Sequence, residues 1–320
     1  QLDQTVTAPG ARMLKQMLLN PLINQAQIED RLNLVEAFFK RADLLDETRK
    51  LLSKTYDLYR VCNRLLNQRA NGRDLIAIKT SLAIVPELIE LLNELDYDFP
   101  VEHIPDVQSL VSLIEKALVD DPPSKITEGK LFKFGFNKDL DNIQRFHSEA
   151  DQVLSELEEY EKQKTGLKSL KIKFNKVFGY YFELPKSQSD KLPEYFARRQ
   201  TLTNVERFTT EELKSNEKSI LKAQDELKRI EYRLFQSLRE EVLSKAETIH
   251  QWARFFATLD VMSCFAKKSL QNQYVRPQFN PDTGINIIGG RHPVVEANST
   301  SFVPNDLSLD YKSDLIHLIT

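Results

Sequence analysis

The sequence predicts a mainly α-helical protein with a small inserted β region. Three observations carry that expectation. Glycine and proline are scarce, 9 and 13 in 320 residues, which disfavours a loop-rich or sandwich fold. Apolar residues recur at helical spacing over most of the chain. Between Lys168 and Arg207 the period switches to two, with Leu170, Ile172 and Phe174 alternating with Lys171, Lys173 and Asn175.

Taken in order, Met13, Leu14, Met17 and Leu18 define a first helix. Pro9 sits in its first turn, where no backbone N–H is needed, and Pro21 ends it. Ile28, Leu32, Val35 and Phe39 mark a second, and Leu44 to Leu66 reads as helix with at least one break. Asn71-Gly72 is a turn signal. Asp74 caps a helix running to Leu92, which Pro86 kinks or divides. Asp106 caps another, carrying Leu110, Leu113, Ile114 and Ala117. Ile126 to Phe136, with Gly129 and Gly135, is compatible with a small hairpin.

From Asn137 the texture changes. Leu140, Ile143, Phe146, Ala150, Val153, Leu157 and Tyr160 form one stripe on a long helix that Gly166 closes. Thr209 and Glu212 have capping-box spacing and open a second long helix. Along it Leu213, Ile220, Leu227 and Leu234 recur every seven residues. No proline occurs between Pro193 and Pro277, and no glycine between Gly179 and Gly284. A helix of about 40 residues would reach about 60 Å at 1.5 Å per residue. An ordinary domain does not bury that length along one face, so the expectation is an antiparallel pair of arms capped by the β region. After Tyr274, Gly284 to Gly290 reads as a strand and turn. The closing run, with Leu315, Ile316, Leu318 and Ile319, reads as a buried strand in a chain that continues.

Charge singles out the β region. It carries nine basic residues against four acidic ones, a net of +5, whereas the whole chain is −3. Any affinity for a polyanion is therefore local. Lysines and arginines that neutralise phosphates release counterions, the basis of sequence-independent nucleic-acid binding. The competing interpretation is a solvated basic face. Tyr180, Tyr181 and Phe182 could stack on bases, but alternate strand positions more often face a core.

Other chemistry finds little support. No apolar run has the length of a membrane span. Cys62 and Cys264 stand far apart and point to no disulfide framework. His103, His147, His250, His292 and His317 lack metal-ligand spacing. Glu156, Glu158, Glu159 and Glu161 read as the wet face of the first long helix. No G-x-x-x-x-G-K-[ST] motif occurs.

Gly179 to Tyr181, then Arg198-Arg199-Gln200-Thr201-Leu202 with Asn204, Glu206 and Arg207, resemble the clamp of the MutS family of bacterial DNA mismatch-recognition ATPases. Leu2-Asp3-x-Thr5-Val6-Thr7 resembles a stretch of that family's core domain. Gly290 to Glu296, with Phe302-Val303-Pro304-Asn305, resemble the opening of its ATPase domain. The resemblance covers the whole chain and implies four parts. These are a helical core with the first lever helix over 1–165, a clamp over 166–210, a returning lever helix over 211–271, and the N-terminal edge of an ATPase domain over 272–320.

By the same resemblance the levers couple nucleotide state to a clamp that holds the DNA backbone without reading sequence. The expected phosphate contacts are Lys171, Lys173, Lys176, Lys186, Arg198, Arg199, Asn204 and Arg207. Thr203 stands where relatives often carry lysine, which removes one contact. Phe302, Val303 and Asn305 match the rim of a nucleotide site, with Phe302 as the residue that packs on adenine. ATP and Mg are implied for the full-length relatives, but no cofactor, metal ligand or catalytic residue for this stretch, because the phosphate loop would follow Thr320. The implied partners are mismatched double-stranded DNA, a second copy and a MutL-type protein, in the bacterial cytoplasm near the nucleoid and away from membranes. Two alternatives stay open: a structural helical arm that holds a protein partner, and a MutS relative that does not read mismatches.

Overall fold

The computed structural model describes residues 2–99, 105–175, 177, 179–279, 284–298 and 301–310, and of 146–148 the backbone alone. Lys176, His103, His317 and the closing apolar run lie outside the described residues, as do the side chains of Phe146 and His147. In chain order the helices are α1 (Ala8–Leu19), α2 (Gln25–Lys40), α3 (Ala42–Leu52), α4 (Leu58–Leu66), α5 (Gly72–Leu82), α6 (Val85–Asn93) and α7 (Gln108–Ala117). Then follow α8 (Lys138–Thr165), α9 (Glu211–Leu243), α10 (Ala246–Asn272) and α11 (Pro293–Asn298). The strands are β1 (Lys171–Asn175), β2 (Gly179–Pro185), β3 (Ala197–Thr201), β4 (Val205–Thr209), β5 (Ile285–Gly290) and β6 (Asn305–Leu309). The mainly helical class with a small β region is what the structure shows. Among the described residues no helix is long and apolar enough to cross a membrane.

Helix starts follow the side chains that can replace missing backbone partners. Thr7 Oγ1 accepts from Gly10 N at 2.9 Å to cap α1. Asn24 Oδ1 accepts from Gln27 N at 3.1 Å to cap α2. At α5 the cap is Asn71 rather than Asp74. Asp74 N donates to Asn71 Oδ1 at 3.1 Å, and Asn71 N donates back to Asp74 Oδ2 at 3.0 Å. Pro86 divides rather than kinks: α5 ends at Leu82 and α6 begins at Val85. The cap of α9 is Thr210, one residue later than the sequence implied, since its Oγ1 accepts from Leu213 N at 3.1 Å. The expected 126–136 hairpin does not form. Ile126–Glu128 is a short 3-10 turn, and Phe132 pairs instead with Leu118.

The chain divides into two compact units. The first comprises 1–69, 77–111 and 243–320. Within it α1, α2, α3 and α4 pack against α10, whose Ile249, Trp252, Phe256, Leu259 and Val261 are buried. Trp252 Nε1 donates to Pro105 O at 3.0 Å, which satisfies the one polar atom of that buried ring. In the same unit β5 and β6 form an antiparallel pair with exposed Ile287 and Ile288.

The second unit comprises 70–76 and 112–242. Its α8 has 28 residues and its α9 has 33, about 42 and 50 Å at 1.5 Å per residue. Gly166, with φ 73°, ends α8 in the left-handed conformation that favours glycine. The returning helix expected over 211–271 is two helices, α9 stopping at Leu243 and α10 starting at Ala246. No proline or glycine marks that break. Between α8 and α9 lies an antiparallel sheet of order β1-β2-β4-β3. Leu167, Leu170, Phe182, Leu184, Phe196 and Phe208 form one core with Ala150, Leu154 and Leu157 of α8 and Leu213 and Ile220 of α9.

Candidate nucleic-acid interface

Strand alternation sorts the sheet's side chains onto two faces. Ile172, Phe182 and Phe208 lie in one cross-strand row and pack against the helices. The next row, Lys171, Glu183 and Arg207, belongs to the opposite face, as does Lys173 opposite Tyr181. That face is the candidate interface.

Its cations are held in place. Lys173 Nζ donates to Glu183 Oε1 at 2.6 Å. The hydrogen bond to that carboxylate raises the Lys173 pKa above the ordinary lysine value, so this lysine stays charged. Arg207 spreads its guanidinium 4.4 Å over the Tyr181 ring and donates to Gln200 Oε1 at 2.9 Å. Its Nε lies 3.5 Å from Glu183 Oε2, a charge proximity without a hydrogen bond. Lys171 and Lys186 are exposed and have no ion-pair partner among the described residues. Asn204 is exposed beside the start of β4, where its carbonyl accepts from Lys186 N at 3.1 Å.

Arg198 and Arg199 sit differently. Arg198 stands opposite Phe208, in the packed row, with its guanidinium 3.2 Å from Glu206 and 5.8 Å over the Phe208 ring. Glu206 keeps only 3% side-chain exposure. A register shift between Arg198 and Gln200 inserts Arg199 as an extra residue, 4.0 Å from Glu217 of α9. Both arginines therefore already face carboxylates, outside the Lys171–Lys173–Arg207 group. Of the three aromatic candidates, Tyr181 and Phe182 are buried, and Tyr180 is half-buried with its ring 4.9 Å from Phe174.

The glutamates of α8 do not form one wet face. Glu156 and Glu159 are exposed, but Glu158 accepts from Ile172 N at 2.6 Å. Glu161 is 2% exposed and accepts from Tyr195 Oη at 2.7 Å, with Lys164 Nζ 4.4 Å over the Tyr195 ring. On α9, Glu217 accepts from Tyr180 N at 3.0 Å, and Glu231 takes Lys130 N at 2.8 Å and Leu131 N at 3.1 Å. Carboxylates thus tie the strands and the 130–131 loop to the helices. The first unit holds the other predicted group. Phe302 is half-buried, Val303 is 71% exposed, and Asn305 lies opposite Gly290 with Nδ2 donating to Val303 O at 3.1 Å. Nearby, His292 Nδ1 accepts from Val295 N at 3.2 Å at the start of α11, a structural use of that ring. Among the described residues no group of histidine, cysteine and carboxylate side chains is arranged to hold a metal.

A family model described as MutS domain III matches residues 1–266. The chain is 43% identical over 309 residues to the DNA mismatch repair protein MutS of Thermotoga neapolitana, covering 97% of this chain and 38% of the relative. It is 39% identical to the protein of that name from Acetivibrio thermocellus and 40% identical to that from Staphylococcus epidermidis, in both cases over 100% of this chain and 37% of the relative. The chain thus spans little more than a third of the length of these relatives.

Proposed function

The chain belongs to the MutS family of DNA mismatch repair proteins, and on that premise we propose that the outward face of its four-stranded sheet grips the DNA backbone. The observation that supports this most is the group of Lys171, Lys173 and Arg207, fixed by strand pairing and side-chain contacts, with Lys186 and Asn204 as further donors. Strands lie about 4.8 Å apart, so Lys171 on β1 and Arg207 on β4 start about 10 Å apart. That span covers more than one phosphate of a strand whose charges recur about every 3.4 Å along the axis. Phosphate contacts of this kind position a protein on the duplex and carry no sequence information. In the whole protein, α8 and α9 act as levers that couple ATP and Mg binding to this grip, with Phe302, Val303 and Asn305 on the rim of the nucleotide site. The same reading makes the protein a homodimer with a MutL-type partner, acting on mismatched DNA in the bacterial cytoplasm near the nucleoid.

Titrating a labelled duplex at several salt concentrations tests the grip. If about 4 phosphates are neutralised, log K falls with a slope near −3.6 against log salt. A Lys171→Glu/Lys173→Glu double variant is expected to lose on the order of 10²-fold in affinity at 0.1 M salt and to flatten the slope by about 2. An Arg198→Ala/Arg199→Ala variant loses less, because those guanidiniums already face Glu206 and Glu217. Salt-insensitive binding, or a reversal variant that binds as well as the parent, refutes the proposal. Binding to an acidic protein surface in place of DNA would favour the structural-arm alternative.

A further inference from the structure

Glu183 is the one acidic residue in the row that joins Lys171, on β1, to Arg207, on β4. Its two oxygens are divided between cations: Oε1 takes Lys173 Nζ at 2.6 Å, and Oε2 faces Arg207 Nε at 3.5 Å. The side chain is 15% exposed, while Lys173 is 50% exposed. A carboxylate so placed occupies both cations from beneath and leaves the half-exposed Lys173 open to solvent, whereas Arg207 keeps only 17% side-chain exposure.

We propose that Glu183 is an affinity limiter in this interface: an internal carboxylate that competes with DNA phosphate for Lys173 and Arg207 and keeps the grip weak and reversible. The inference rests on the backbone-binding reading above. Its chemistry is a competition of like acceptors. A phosphate oxygen that approaches Lys173 must share the ammonium with Glu183 and meets the repulsion of its charge. On the Lys173 side the pair is half-exposed and screened by solvent, so a polyanion can draw that ammonium away at modest cost. Glutamine at this position keeps an oxygen for Lys173 Nζ and removes the charge. It therefore separates competition from simple positioning: if the carboxylate mattered only for aiming the two cations, its loss would weaken binding.

The test compares duplex affinity and salt slope for the parent, Glu183→Gln, Glu183→Thr and the Lys171→Glu/Lys173→Glu variant, with thermal melting recorded for each. Glu183→Gln is expected to bind about three- to eightfold more tightly at 0.1 M salt and to steepen the slope, up to the contribution of one additional phosphate contact. Glu183→Thr, a β-branched residue suited to a strand, is expected to shift affinity in the same direction and serves where the glutamine variant folds poorly. Equal or weaker binding by a folded charge-removing variant, while the lysine reversal still lowers affinity on the order of 10²-fold, overturns the limiter and leaves the interface standing. If the lysine reversal also has no effect, the interface itself is wrong and the limiter falls with it.

Discussion

Replacing Asp260 by alanine is expected to lower the stability of the first unit by about 4 kcal/mol or more, since hydrogen bonds to charged groups contribute about 1.5–3 kcal/mol each. Asp260 lies on α10 with no exposed surface. It accepts from Val6 N at 2.9 Å, Thr7 N at 2.8 Å and Thr7 Oγ1 at 2.6 Å. These bonds fix the chain just before α1 against a helix more than 250 positions later. Alanine removes the acceptor that all three donors share, and Thr7 is also the cap of α1. The same corner explains Gly10. A Cβ there would lie 2.1 Å from Asp260 Oδ2, and a carboxylate held by three donors cannot swing away without breaking them. Gly10→Ala is therefore expected to be comparably damaging. A urea midpoint that moves by less than the equivalent of about 1 kcal/mol in both variants would contradict this account.

Asp260 also sets a pH dependence. Burial raises its pKa above the ordinary aspartate value, and the three donors oppose that shift without cancelling it. A raised native pKa means that the folded state takes up a proton more readily than the unfolded one. Stability from this group is therefore fully present below the unfolded pKa and declines as pH rises through the native pKa. Asparagine at 260 has no such titration. The stability gap between the parent and Asp260→Asn is expected to widen as pH falls through the raised native pKa toward the ordinary aspartate value, and a gap that narrows would show that the donors outweigh burial.

The parts of this architecture that were legible in the sequence are those set by local chemistry. Caps serve the helix they open, so side-chain type and spacing place Asp106, which accepts from Gln108 N at 2.9 Å, and bring Thr209 within one residue of Thr210, although Asp74 stands three residues past the true cap Asn71. The alternation in β1 likewise needs only its own pattern. What failed depended on distant partners. The sequence stripe on α8 took Val153 and Tyr160 as core, yet both are exposed, and the buried positions are Leu154 and Glu161. On α9 the heptad count selected Leu227 and Leu234, which are only half-buried, while Glu231 and Phe235 are the buried positions. A straight helix drifts about 20° per heptad from a strict seven-residue repeat, which turns the stripe by one position over its length. Hydropathy then cannot admit a glutamate to a core. Glu161 is buried because Tyr195 Oη reaches it, and Glu231 because the 130–131 amides do. No spacing rule connects those segments. For the candidate interface, the count of basic residues was visible in the sequence. Their division into an outward group and a pair of arginines facing carboxylates was not, because it turns on the register shift in β3.

Gly179→Ala is expected to cost the sheet about 2–5 kcal/mol and to carry away most of its DNA affinity. Gly179 opens β2 with φ +72°, where an L side chain is disfavoured by about 1–2 kcal/mol. Its Cβ would fall 1.5 Å from Glu217 Oε1. That oxygen is the end of a flexible side chain, so the clash is relieved cheaply when Glu217 moves. The cost lies in what Glu217 leaves: Tyr180 N, which it accepts at 3.0 Å, becomes a half-buried donor without its acceptor, worth about 1–3 kcal/mol. Glu217→Ala isolates this second part, and the difference between the two variants measures the left-handed strain. Equal losses would remove that strain from the account. The consequence for binding follows from topology. In the sheet, β1 is an edge strand paired only with β2, and Asn175 stands opposite Gly179 at the end of their ladder where residues 176–178 join the two strands. Register in such a pair is fixed by the turn and by the apolar face, and a slip of one residue sends every side chain to the opposite side. Lys171 and Lys173 would then point toward the helices and Ile172 toward solvent. Faster amide exchange along β1, together with a flattened salt slope, is the expected signature. The outward placement of charge that the proposed grip requires thus depends on one backbone conformation that glycine adopts without strain.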